Sequence, residues 1–277
     1  AVEGSTTVTP TYYGGTTLSM GGPINLRDVP VMTVYAPQGF RYYWRSKVFD
    51  AYIDGRWWAR VDARATSDFG LLRPEEETVY ALRQNVQQRI ELAMPATRLV
   101  YAAPQPVSFS SLPVTYDLIL TAPGEYGTVT NVNSRSLLEA GDVYGATSSV
   151  SIADEASLRA AGTDYPDWVR ERYLGLPDSV TSRTGAGNPY DAARAIERYL
   201  RQTIRYNDSV QPPPEGVEPV DYVLFERQEG YCVYYASAMA VLLRAEGIPA
   251  RVAAGFAQGA LDPAVGGYVV AEADAHT

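Results

Sequence analysis

The chain of 277 residues is 46% hydrophobic and 20% charged, which gives enough apolar surface for a sizeable core and enough length for two domains. A net charge of −9 leaves no basic surface to favour nucleic acid or anionic lipid. No apolar run reaches membrane-spanning length, so any membrane contact is expected to run through segments outside this one. The single cysteine excludes an intrachain disulfide framework. One cysteine with one histidine make a poor zinc set, and no metal or other cofactor is implied.

Residues 1 to about 25 are rich in Gly, Thr, Ser and Pro and read as irregular. From Val31 the β-branched and aromatic residues predict strands over 31–35, 42–53 and 56–59, with Asp54-Gly55 as the turn of a hairpin. Further strands are predicted over 78–92, 98–102, 114–120, 126–131 and 143–150, punctuated by Pro, Gly, Ser and Asn. Such a succession without long helices predicts an antiparallel β domain, sandwich or barrel-like, over residues 1–150. Trp44, Trp57 and Trp58 fit core and cross-strand packing better than a sugar-stacking platform.

After Ser151 the pattern turns helical, with short helices expected over 153–160 and 166–174. Asn188 caps and Pro189 opens a longer helix whose Ala193, Ile196, Leu200 and Ile204 share one face, a packing face rather than a chemical one. Pro212-Pro213-Pro214 reads as a surface loop beside the entrance to a site. A short helix over 220–225 then leads into Glu229-Gly230-Tyr231-Cys232-Val233-Tyr234-Tyr235-Ala236-Ser237.

From Val233 apolar residues recur at helical spacing as far as Leu243, and Gly247-Ile248-Pro249 is a helix stop. Cys232 therefore opens a helix, where unpaired backbone N–H groups and the helix dipole favour a thiolate and can cradle an oxyanion. A cysteine without context is more often an inert core thiol. Here Gly230 permits close backbone approach, the small residues after Tyr235 permit tight packing, and the only histidine, His276, ends a second apolar segment and supplies a base. Residues 250–256 and 268–276 read as strands, the second with Tyr268, Val270, Glu272, Asp274 and His276 on one face.

The run from Gly230 to Ala253, with Gly-Tyr-Cys, Tyr-Ala-Ser-Ala-Met-Ala, Leu-Leu-Arg and Gly-Ile-Pro-Ala-Arg-Val, resembles the bacterial transglutaminase-like family, and Asp274-Ala275-His276 matches its second motif. Tyr43-Trp44-Arg45 and the stretches 52–57 and 219–226 are similar to a branch in which a β-rich region precedes the catalytic domain in the extracytoplasmic portion of a membrane-anchored protein. The resemblance implies an α+β fold: an N-terminal antiparallel β domain (1–150) and a papain-like, transglutaminase-like α+β core (151–277) truncated at its C-terminus.

It also implies a Cys-His-Asp triad in which Cys232 is the nucleophile and His276 the base and later the acid. The triad Asp is expected on a strand beyond Thr277, so this segment is expected to be weakly active or inactive. Asp274, Gly230 and Tyr231 are candidate orienting or supporting residues, and Arg244 and Arg251 read as structural supports. The implied reaction is thiolate attack on a carboxamide of a protein or peptide, with the thioester then taken by an amine or by water. Transferase, protease and amidase outcomes stay open, as does the oligomeric state. The expected partners are a protein or peptide substrate and a cell-envelope polymer, in a periplasmic or cell-surface location. A noncatalytic interaction module on the same scaffold is the alternative. If Cys232 pairs with His276 at a helix start, its pKa should fall below the free value of about 8.5.

Overall fold

A computed structural model describes residues 15–72, 81–122, 125–176 and 185–277; the first part of the expected irregular segment and the start of the strand expected over 78–92 lie outside them. Strands dominate up to Ser151: β1 (Thr17–Ser19), β2 (Pro30–Tyr35), β3 (Tyr43–Phe49), β4 (Ala51–Ile53), β5 (Arg56–Trp58), β6 (Ala63–Ser67), β7 (Arg83–Leu92), β8 (Thr97–Leu99), β9 (Pro106–Ser110), β10 (Val114–Ala122), β11 (Glu125–Leu138) and β12 (Val143–Ser151). Helices α1 (Glu155–Ala160), α2 (Asp167–Tyr173) and α3 (Pro189–Thr203) follow, then β13 (Arg205–Tyr206), α4 (Pro219–Asp221) running into a π-helical turn Tyr222–Arg227, β14 (Glu229–Gly230) and α5 (Cys232–Ala245). The chain returns to strands in β15 (Val252–Ala257), β16 (Ala260–Asp262), β17 (Gly267–Ala271) and β18 (Ala275–His276), with a 3₁₀ turn Glu272–Asp274 between the last two. This is an α+β fold with an N-terminal β region. Among the described residues no helix is long and apolar enough to cross a membrane.

Alternation makes the sheets two-sided. In β12, Tyr144, Ala146, Ser148 and Val150 turn inward while their neighbours are at least partly exposed. Two large antiparallel sheets result, β18-β15-β3-β11-β10-β6 with β8 also on β11, and β16-β17-β2-β7-β12-β9. They face each other across a shared core: Trp44 of β3 stacks on Tyr42 at 4.7 Å and lies 6.2 Å from Tyr268 of β17. Tyr101 meets Phe256 of β15 edge-on at 5.3 Å, and its backbone both donates to and accepts from the Tyr144 hydroxyl of β12. The aromatic residues read as packing groups behave so, although Trp58 remains 40% exposed.

Both sheets cross the division expected at residue 150. β15 pairs with β3 from Val252↔Phe49 to Ala257↔Tyr43, and β17 pairs with β2 from Tyr268↔Val34. Strands from the two ends of the chain thus share hydrogen-bonded ladders, so residue 150 does not separate two independent sheets. The single strand expected over 268–276 is two strands in different sheets, and the 3₁₀ turn makes the crossing. β17 is paired on both sides, by β16 and β2, whereas β18 is the edge of its sheet.

Helix α5 is apolar almost all round, with Val233, Tyr234, Ala238, Val241 and Leu242 buried, and such a helix must be enclosed. The β4–β5 hairpin covers one side. Its turn places Asp54 at φ 49° and Gly55 at φ 70°, the two left-handed positions of a two-residue hairpin, and a Cβ on Gly55 would meet Pro219 Cδ at 2.5 Å. Trp57 Nε1 donates to Ser237 Oγ at 3.0 Å, and Arg244 lies over the Trp57 ring at 4.9 Å.

Arg244 is itself buried and donates to the carbonyl oxygens of Ala250, Gly175 and Asp50 at 2.6 to 2.9 Å, which ties the end of α5 to two loops and to β3's exit. Burial lowers its pKa to about 10, so it stays charged at neutral pH. Arg251 donates to the Tyr173 hydroxyl at 3.0 Å. Both arginines are supports. Arg244→Met should strand buried carbonyls and lower stability by about 2–5 kcal/mol, seen as a lower urea midpoint with an unchanged slope. Arg251→Met, which removes one hydrogen bond, should cost about 1 kcal/mol.

Candidate active site

The residues before Cys232 are held by backbone pairing. β13 runs parallel to β14 with Arg205↔Glu229 and Tyr206↔Gly230, and Asn207 N–H donates to Gly230 O at 3.0 Å. The end of α3 is thereby fixed beside the start of α5. Gly230 is required sterically, because a Cβ there would stand 2.5 Å from Tyr234 Cβ and Cγ. Tyr231 is the N-cap of α5 and packs edge-on against Tyr234 at 5.1 Å. The two hydroxyls reach Gly22 O and Gly21 O at 3.1 and 2.7 Å, pinning the helix start to the segment before β2. Gly230 and Tyr231 thus fix the start of α5 through contacts with Tyr234 and with the backbone of Gly22.

Cys232 occupies the first turn of α5 and, with His276 and Thr277, lines a cleft of about 770 Å³ between α3, α5 and β18. Leu200, Ile204, Ala236 and Met239 supply apolar wall, and Tyr206, Tyr235, Arg201 and Arg205 also line it. Tyr206 and Tyr235 are stacked at 6.5 Å.

Cys232 is 6% exposed, and its sulfur lies 3.9 Å from Thr277 Oγ1. Burial pushes the thiol pKa up, and it outweighs the hydrogen bonds from the Thr277 hydroxyl and from the backbone of Thr277, Val233 and Cys232, which pull the other way. This corrects the expectation of a depressed pKa: a helix start favours a thiolate, but here desolvation is the larger effect. The nearby sulfur, after burial, also helps raise the pKa of Tyr206.

His276 pairs with Gly255 in the β18–β15 ladder, and its backbone oxygen accepts from the Tyr43 hydroxyl at 2.7 Å. Its side chain is open to solvent on one side, yet the surrounding protein lowers the imidazole pKa by desolvation, so it is neutral at pH 7. Cysteine and histidine share one cleft, and among the described residues no hydrogen bond joins them.

Asp274 is not part of this group. Its carboxylate accepts from Ala271 N–H at 2.8 Å and closes the 3₁₀ turn, and it does not line the cleft. The strand alternation that would have put it on the face of His276 is broken because the chain changes sheets between them. Glu229 is turned to Arg205, Asn207 and Arg227, and the Arg205 guanidinium first of these holds its carboxyl below the usual range. The proline run 212–214 does not line the cleft, whereas α3, read as packing alone, forms one wall. Tyr206, Tyr235 and Thr277 escaped the sequence reading. The only signal for Tyr235 was its place one turn beyond Cys232.

Residues 178–277 match the Transglutaminase-like superfamily. The chain is similar to YebA of Bacillus subtilis (strain 168), a protein without an assigned role, at 27% identity over 268 residues, covering 89% of this chain and 35% of that protein. A protein-glutamine gamma-glutamyltransferase of Pseudomonas aeruginosa is 43% identical over 84 residues, 30% of this chain and 12% of that protein. The chain therefore spans about a third of the length of one curated relative and about an eighth of the other. In fold it is similar to crystal structures of the periplasmic domain of TgpA from Pseudomonas aeruginosa. One has a TM-score of 0.60 at 20% identity, covering 90% of this chain and 82% of that one. Another, bound to ethylmercury, has a TM-score of 0.61 at 19% identity, covering 95% and 89%. Motif, family match and fold point the same way: residues 178–277 are similar to the Transglutaminase-like superfamily, and the chain shares the fold of the TgpA periplasmic domain.

Proposed function

We propose that the chain is the extracytoplasmic part of a membrane-anchored cysteine acyl enzyme that acts on carboxamides of proteins or peptides. The observation that carries the reading is the meeting of the only thiol, at the first turn of α5, with the only histidine in one solvent-open cleft. Support for the location comes from the similar structures, which are periplasmic domains. Support for the acyl chemistry comes from the gamma-glutamyltransferase that shares 43% identity over 84 residues.

The resting pair is a neutral thiol beside a neutral imidazole, since burial raises the pKa of the one and lowers that of the other. His276 then acts as general base as Cys232 Sγ adds to the carboxamide carbon, and returns the proton to the departing nitrogen, leaving a thioester. Backbone N–H groups at the start of α5 hold the oxyanion. An amine acceptor gives transfer and cross-linking; water gives deamidation or, at a peptide bond, cleavage. Gly230 and Tyr231 support the nucleophile, while the turn held by Asp274 sets the entry of β18.

Cys232→Ala should abolish hydroxylamine incorporation into a glutamine-containing peptide in the parent protein, and His276→Ala should slow it by on the order of a hundredfold. Turnover equal to wild type in both variants would remove Cys232 and His276 from the reaction and overturn the proposal. Because the base must be neutral to accept a proton, a lowered imidazole pKa moves the acid limb of kcat/KM below the ordinary histidine value of about 6.5. Iodoacetamide alkylation of the resting protein should rise only above the free-thiol value of about 8.5, because the reactive thiolate forms there. A midpoint below that value would show a preformed thiolate instead.

A further inference from the structure

The cleft around Cys232 carries charge opposite in sign to that of the chain. Acidic residues outnumber basic ones by 32 to 23 over the sequence, yet the described residues that line the cleft include Arg194, Arg201 and Arg205 against a single carboxylate, Glu197. Arg194, Glu197 and Arg201 recur at intervals of three and four, so they share one face of α3 and extend along it for about 10 Å at 1.5 Å per residue. Arg205 continues the row from β13, where it is registered with Glu229, three residues before the thiol. The basic row therefore ends beside the nucleophile.

Carboxylates are too few to neutralise that row. Glu197 accepts from both Arg194 and Arg201, the latter at 3.1 Å, and Glu229 accepts from Arg205 and stands 3.6 Å from Arg227. Four guanidinium groups thus share two carboxylates, which leaves an excess of two positive charges. Arg201 and Arg205 are the most open of the four, with side chains 74% and 75% exposed. Ion pairs so exposed hold weakly, and each guanidinium carries five N–H donors, so a second carboxylate can join without displacing the first. Leu200, Ile204 and Met239 line the same cleft, so a peptide lying along α3 meets an apolar strip and a line of planar donors together.

We propose, on the reading of this cleft as an acyl-donor site, that it selects acidic peptides: the reacting glutamine is flanked by Asp or Glu on the side that lies along α3, and Arg201 and Arg205 are the specificity-determining residues. An extended chain rises about 3.3 Å per residue, so about three residues span the row and the acidic positions fall within about three of the glutamine. Two guanidinium groups facing two carboxylates fix the register of the donor chain, and a basic flank is rejected by like charge. The net charge of −9 opposes an acidic peptide over the surface as a whole, which confines its docking to the place where the sign is reversed.

Binding is tested apart from turnover in the parent protein carrying Cys232→Ala, with fluorescein-labelled peptides that differ only in the residues flanking one glutamine: Asp, Asn or Lys. At low salt the Asp peptide should bind about fivefold more tightly than the Asn peptide, the Lys peptide should bind more weakly than either, and the differences should shrink as salt is raised. Arg201→Gln combined with Arg205→Gln should bring the Asp and Asn peptides to the same Kd, and Glu at both positions should turn the preference to the Lys peptide. Arg227→Gln, which removes a charge outside the cleft, should keep the Asp preference. Equal Kd for the Asp and Asn peptides before any arginine is changed, or an Asp preference that survives the double Gln substitution, would overturn the proposal. Binding of inorganic polyphosphate that depends on both arginines, without an Asp preference, would also overturn it and assign the row to a phosphate polymer. Selective binding of the Asp peptide with no hydroxylamine incorporation by the unsubstituted parent protein would support the selection and overturn the acyl chemistry instead.

Discussion

The enclosure of α5 is the constraint on which the rest of the structure depends. A helix with apolar residues on nearly every side cannot lie on a surface, and it is surrounded here by the β4–β5 hairpin, α3, α4 and β15. The N-terminal region is therefore not an appendage. Trp57 from the hairpin reaches the buried Ser237, and Arg244 near the far end of α5 satisfies carbonyls from three separated parts of the chain. Breaking any one of these contacts leaves buried polar atoms without partners, which is more costly than the contact itself is favourable.

The same enclosure sets the chemistry of the cleft. A thiol at a helix start experiences favourable backbone dipoles, but those act over the first turn only, while desolvation grows with every wall added around the sulfur. Here the walls win, and Cys232 and His276 are both shifted toward their neutral forms. A neutral pair suits proton transfer concerted with attack, because neither partner must first be stripped of a stabilised charge. The tyrosines of β13 and α5 add apolar surface to the same walls, and the stacked Tyr206 and Tyr235 narrow the approach along α3.

Sheet sharing between the chain ends has a mechanical consequence. His276 rides on β18, which pairs with Gly255 and Phe256 of β15, and β15 in turn lies along the whole of β3. Tyr43 on β3 donates to both Ala253 O and His276 O, so the position of the imidazole is referred directly to a strand more than two hundred residues away in sequence. Rigidity in β3 is rigidity at the candidate base.

Local physics in the sequence determined much of this. The Asp54-Gly55 turn, the Asn188 cap with Pro189 behind it, the helix beginning at Cys232 and the stop at Gly247 all depend on backbone conformations or caps that single residues dictate, and each is found where the residues place it. The strand over 143–150 and the identity of Cys232 and His276 as the sole thiol and imidazole were equally legible. Tertiary structure alone decided the remainder. Strand period cannot reveal that residues 268–276 change sheets, because the turn held by Asp274 exists to connect two ladders whose partners are β2 and β15. Nor can spacing tell that α3 faces the thiol, that residue 150 falls inside shared sheets, or that burial outweighs the helix dipole at the sulfur. Each of these is a sum over neighbours distant in the chain, and a linear pattern carries no information about which neighbours those are.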